Sequence, residues 1–76
     1  MTKPIDEVLR INLDLLHNLL DQARLSAVQA SAAMAADEHN LAIGTLLDLE
    51  HLLPESSALY ATIMLLHRSR TGEAIT

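Results

Sequence analysis

The sequence predicts an all-α protein: a helical hairpin that closes as a homodimeric four-helix-type bundle. Half of the residues are hydrophobic, and most of these are leucine and alanine, which favour helix strongly. Two glycines and two prolines leave few places for the chain to turn. A chain of 76 residues buries only about 60% of the surface that its unfolded form exposes. Because so much apolar surface would stay uncovered, we expect two copies to pair.

The first and longer helix is predicted over residues 4–36. Pro4 suits the first helical position, where its missing N–H costs nothing, and Asp6 and Glu7 favour the positive end of the helix dipole. Apolar residues then recur at helical spacing and form one broad stripe. Its members are Ile5, Val8, Leu9, Leu15, Leu16, Leu19, Leu20 and Ala23. Past Arg24 the residues are mostly small, and none of them breaks a helix.

Asn12 lies within this apolar stripe. A lone buried Asn can fix the register and partner number of packed helices, at some cost in stability. In the alternative, Asn12 sits at the edge of the stripe and reaches water. The sequence leaves both interpretations open.

The most polar run, residues 37–40, is predicted to form the turn of the hairpin. Asn40 tolerates left-handed backbone geometry, and Asp37 is placed to cap the next helix. That helix is predicted over 38–53 and is apolar nearly all round, so we expect it to be buried on several sides. Gly44 within it is expected to permit close packing against the small residues of the first helix.

Pro54 is predicted to kink or break the return arm of the hairpin. Proline disfavours helical geometry at the residue before it and removes a backbone hydrogen bond. A last helix is then expected over 54–70, and residues 71–76 are expected to be a flexible tail. The whole chain, 1–76, is thus predicted to be one helical domain.

The predicted dimer core combines residues from both arms of the hairpin, since a four-helix bundle buries one apolar stripe from each helix. We expect it to include Leu9, Asn12, Leu16, Leu19, Leu46, Leu49, Leu59 and Ile63.

Charge and composition exclude several classes of function. The net charge of −5 disfavours nucleic-acid binding, which needs clustered Lys and Arg. No uncharged run reaches the ~18 residues that a membrane helix requires, and acidic residues near the N-terminus do not fit a secretory signal. The absence of cysteine excludes disulfides and thiolate metal sites. We therefore expect a cytoplasmic protein without cofactor, membrane or nucleic-acid partner.

Two Asp-x-x-His pairs are candidates for metal or small-ligand binding: Asp14 with His17, and Asp48 with His51. Residues three apart share a face of a helix, and di-metal bundle proteins use Glu-x-x-His in this way. Those proteins direct their ligands into the core, whereas both pairs here fall on polar strips. Solvated side chains are the better interpretation, and we predict no metal site and no catalytic residues.

The remaining possibility for function is a surface that binds another protein. Tyr60, Met64 and His67 share one sector of the last helix, away from its aliphatic stripes, and Tyr and Met are common in binding surfaces. The alternative is that this sector packs inside the oligomer. Asp14 and Asp21 lie on an acidic face that would suit a basic partner. We expect a non-enzymatic regulator of bacterial or phage origin, such as an inhibitor, adaptor, chaperone or immunity-type factor.

Overall fold

One long helix and a return arm in two segments form a hairpin. The computed structural model describes residues 4–72 and the side chains of residues 4–69. Helix α1 spans Pro4–Ala35, α2 spans His39–Leu46 and α3 spans Leu49–Gly72. Helix α1 packs against both α2 and α3. Over the described range the predicted all-α hairpin is confirmed, whereas the greater part of the predicted tail, residues 73–76, lies outside it.

The contact between the two arms follows a heptad pattern. Along α1 the less exposed residues recur at alternating spacings of four and three, which is the spacing of a coiled-coil seam. They are Ile5, Leu9, Asn12, Leu16, Leu19, Ala23, Ser26, Ala30 and Ala33. The return arm repeats the pattern with Ala42, Thr45, Leu49, Leu52, Ser56, Leu59, Ile63 and Leu66. We call these two series the seam.

The matching spacings of the two series imply one register along the hairpin. Counting outward from the turn, Ala33 lies level with Ala42, Leu19 with Ser56, and Leu9 with Leu66. The contact of Ala33 with Ala42 in one buried cluster fixes the first of these levels. The hairpin therefore has the residue pattern of an antiparallel coiled coil, which continues across the interruption between α2 and α3.

The core is small and lies mostly toward the turn. Ala30, Ala33 and Ala42 form a buried cluster, where the absence of large side chains lets the helices approach closely. Leu52, at 3% exposure, is the one large hydrophobic side chain among the described residues that is buried. Toward the open end the seam residues are only half-buried. Two helices alone cannot enclose a leucine seam, since each seam residue keeps one side open.

The turn closes α1 with a Schellman motif. The N–H of Glu38 donates to the carbonyl oxygen of Ala33 at 2.8 Å, and the N–H of Asp37 donates to Met34 at 3.0 Å. Asp37 takes the left-handed conformation, with φ of 60°, at the position where glycine is most common. The predicted roles of the turn residues are thus wrong in detail. Asn40 lies inside α2, and Glu38 occupies the N-cap without a side-chain hydrogen bond.

The return arm is interrupted at Leu47 and Asp48, and the break that was one of the two outcomes predicted at Pro54 is absent. The N–H of Asp48 donates to Thr45 at 3.4 Å, a bond between residues three apart that is typical of a tightened turn. Pro54 lies inside α3, which continues through it. The helix boundary predicted between 53 and 54 is therefore wrong. Because proline has no N–H, the Glu50 carbonyl lacks its usual partner within the helix.

In the single hairpin, two further expectations for α2 are wrong: close packing at Gly44 and burial of the helix on several sides. A Cβ atom added to Gly44 would meet nothing within 4 Å, so this glycine does not permit a close helix contact. Ala42 is fully buried, but Leu41 and Ile43 are exposed. The segment therefore presents its large apolar residues outward and is not buried on several sides.

Candidate interaction surfaces

The hairpin has two broad sides, and one of them is apolar along most of its length. On α1 four apolar residues each come directly after a seam residue: Leu13, Leu20, Ala27 and Met34. On the return arm, Leu46, Leu53 and Tyr60 do the same. Because the arms are antiparallel and in heptad register, residues that occupy this position on both arms lie on one side of the seam. We call these seven residues the apolar face.

Every large side chain of the apolar face is substantially exposed, from 37% at Leu46 to 59% at Tyr60. No charged side chain interrupts the face, which His39 bounds at the turn and His67 bounds at the open end. Exposed leucines are common one by one on protein surfaces. A continuous row on both arms is uncommon in a monomer and is typical of an interaction site.

The opposite side of the hairpin is polar over its middle. The residues that precede the seam there include Gln22 and Gln29 on α1 and Asp48 and Glu55 on the return arm. A cleft of about 360 Å³ opens on this side. Its lining is Gln22, Leu25, Ser26, Gln29, Asp48, His51 and Leu52. The presence of Gln22, Gln29 and Asp48 in one cleft supports the assignment of sides from the heptad register.

The two Asp-x-x-His pairs do not come together. Asp48 and His51 line the cleft, whereas Asp14 and His17 are exposed on α1 outside it. The first cleft residue on α1, Gln22, lies eight residues after Asp14 and five after His17, or roughly 12 Å and 8 Å along the helix. Within residues 4–69, no group of three or more His, Cys, Asp or Glu side chains is placed to hold a metal ion. Each Asp-x-x-His pair therefore offers two metal-binding side chains and, within the described range, no third one beside them.

The outward strip of α1 mixes both signs of charge. Arg24 Nε donates to Asp21 Oδ1 at 3.1 Å, and Arg10 donates to Glu7. That hydrogen bond and the charge of Glu7 raise the pKa of Arg10. Exposed pairs of this kind contribute little to stability. Asp21 is thus partly neutralised, and the strip that contains Asp14 and Asp21 carries both acidic and basic side chains.

The structure separates the predicted site residues into groups. Seven of the eight predicted dimer-core residues lie in the seam within one chain, and the eighth, Leu46, lies on the apolar face. Asn12 is half-buried in the seam, and its Nδ2 donates to the Val8 carbonyl of its own helix at 2.8 Å. Tyr60 is outward on the apolar face, Met64 is half-buried and His67 is exposed.

Sequence reasoning missed Leu13, Leu20 and Leu53 as members of one face. Of these, only Leu20 was part of the apolar stripe predicted for α1, and its alignment with Leu53 and Tyr60 depends on the register of the hairpin. The alternating spacing of four and three residues was the available signal, because it defines the seam and hence its two flanks.

Comparison of the chain with protein-family models, with curated proteins and with solved structures finds no match. Over the described residues, none of the helices combines the length and the apolar character that crossing a bilayer requires.

Proposed function

We propose that this is a non-enzymatic protein that acts through contacts with other proteins, beginning with a second copy of itself. The supporting observation is the apolar face, a row of exposed leucines on a hairpin whose own core is too small to bury them. The buried hydrophobic residues, among those described, are three alanines and one leucine. A helical hairpin with this imbalance is stabilised most directly by adding a second layer of helices.

The energetic argument follows from the exposure of the leucines. Fully burying a leucine is worth about 1.5–3 kcal/mol. Leu13, Leu20 and Leu53 are each about half exposed, so covering each of them recovers about 1 kcal/mol. Small domains commonly obtain missing stability by oligomerisation. The proposal accounts for the apolar content of the chain without any cofactor.

A homodimer of this kind leaves the polar side and the outward strip of α1 free to meet a partner. Asp14, Glu55 and the cleft residue Asp48 lie on those surfaces, and they suit a partner with basic or hydrogen-bonding groups. A role as inhibitor, adaptor, chaperone or immunity-type regulator is consistent with a small acidic scaffold of this shape.

Sedimentation equilibrium over a wide range of protein concentration tests the proposal. One chain has a mass of 8.3 kDa, so we expect a species of twice that mass that dissociates only on dilution. A monomer at every concentration, folded by circular dichroism, would contradict the self-association. Incubation with candidate substrates should yield no turnover.

Binding of a small ligand or metal in the cleft is the second candidate function. The cleft volume of about 360 Å³ lies within the range of roughly 300–1,000 Å³ for small-ligand sites, and Asp48 and His51 offer two polar groups there. Calorimetric titration of the untagged protein with Zn²⁺ tests this candidate. Stoichiometric binding that His51→Ala abolishes would support it, and the same heat from both proteins would reject it.

A further inference from the structure

We propose that two copies of this chain pair through the apolar face, so that the seam of each hairpin is covered by the other. This inference rests on the proposed self-association and names the surface that performs it. Pairing through this face places the leucines of one copy over the open side of the other copy's seam. The half-buried seam residues would then be covered on the side of the apolar face, while the polar side stays open to solvent.

The size of the apolar face fits a stable dimer. From the level of Leu13 to that of Met34 the face is 21 residues long, or roughly 32 Å at 1.5 Å per residue. Two helices side by side, each about 10 Å across, make it roughly 20 Å wide. The whole side of the hairpin over this length is therefore roughly 640 Å² per copy, which is the most that the contact can cover, and about 1,300 Å² in total reaches the lower part of the range of specific interfaces.

The opposite side is a poor alternative for the same contact. Pairing there would desolvate Asp48 and Glu55 in each copy, and burial of an unpaired charge is strongly unfavourable. Exposed apolar residues on or next to this side are concentrated at its open end, at Val8, Ile11 and Leu15, whereas Leu25 and Leu41 are isolated ones farther along. The glutamines and carboxylates over its middle make that side suited to solvent or to a polar partner.

A matched pair of substitutions distinguishes the two sides. Leu20, on the apolar face, is 47% exposed, and Leu15, on the polar side of the same helix, is 49% exposed. Introducing Glu at either position perturbs an isolated hairpin to a similar degree. We expect Leu20→Glu to weaken the dimer by roughly 100-fold or more, since it buries an unpaired charge in each copy. Leu15→Glu should leave the dimer intact.

Sedimentation equilibrium of the full chain gives the readout. The inference is supported if the wild type and Leu15→Glu both have twice the single-chain mass of 8.3 kDa and Leu20→Glu has the mass of one chain. A dimer in Leu20→Glu, or equal dissociation of both variants, would overturn it while the proposed self-association stands. A monomeric wild type would contradict both proposals.

A second measurement covers the case in which Leu20→Glu does not fold without its partner. The chain has no cysteine, so Leu20→Cys and Leu15→Cys each carry one thiol on an otherwise unchanged dimer. We expect a thiol reagent to label the first variant at least about tenfold more slowly than the second, because its side chain is covered in the dimer. Equal labelling rates at a concentration where both variants are dimers would refute pairing through the apolar face.

Discussion

Replacing Leu52 by alanine is the most direct test of how the hairpin is held together. Leu52 is 3% exposed and is the largest side chain in the buried set. It lies in the seam just after the interruption of the return arm, where it faces α1. If the seam stabilises the hairpin, the loss of this side chain should cost more than the loss of any outward leucine.

The magnitude follows from the carbons removed and from the surroundings of the site. Leu52→Ala deletes three carbon groups, worth about 0.8 kcal/mol each, or about 2.4 kcal/mol in all. Leu52 also lines the open cleft, so truncation widens a space that water already reaches. The additional cavity penalty seen at closed sites should therefore be small. A domain of this size has roughly 4–11 kcal/mol of stability in total.

Thermal unfolding followed by circular dichroism at fixed protein concentration measures the effect. A loss of about 2.4 kcal/mol lowers the Tm of a domain this small by about 10–20 °C. Leu65→Ala is the matched control, because Leu65 is a leucine of the same helix that is 60% exposed and lies on the outward side. We expect it to cost less than about 1 kcal/mol. Equal losses from the two variants would refute the account of the seam.

Three substitutions should stabilise the protein. Asp37→Gly should raise the free energy of unfolding by about 0.5–1 kcal/mol in urea denaturation, because glycine adopts the left-handed geometry at φ 60° without strain. Gly44→Ala should raise it by about 1 kcal/mol in thermal unfolding, because the added methyl group meets no atom within 4 Å and alanine favours helix. Pro54→Ala should add about 1–3 kcal/mol in guanidinium denaturation by supplying an N–H to the Glu50 carbonyl.

Each of these expectations has a clear opposing result. A less stable Asp37→Gly would mean that the aspartate side chain makes a contact that outweighs its backbone cost. A destabilising Gly44→Ala would place another surface against that position, such as a second copy. An unchanged stability in Pro54→Ala would mean that the Glu50 carbonyl is satisfied by water at no net cost.

The helices and the place of the turn could be predicted from the sequence. Pro4 with the acidic residues after it indicated the start of α1, and the polar run from Asp37 indicated its end. These signals are local, so a single chain displays them fully. The break in the return arm was not predictable in the same way. Pro54 is the strongest local helix breaker, yet α3 accommodates it and the interruption lies at Leu47 and Asp48.

The apolar face could be predicted only in part, because it is not a property of one helix. Leu20 and Leu53 are far apart in sequence and share a face only through the register that the turn imposes. Gly44 shows the converse failure. A glycine inside a helix suggested a close contact with the neighbouring helix. The register places Gly44 on the outward side, where a Cβ atom added to it would meet no atom within 4 Å.

The regular register has a consequence for how the hairpin opens and closes. Ala33 and Ala42 meet across a short turn, so their contact costs little chain entropy, and each further level closes a slightly longer loop at a small additional cost. Folding can therefore start at the turn and advance level by level toward the open end. Opening runs in the reverse order, so amide hydrogen exchange should be slowest beside Ala42 and become faster toward Leu9 and Leu66. The open end, where α1 begins and α3 ends, is thus the part of the hairpin that separates first.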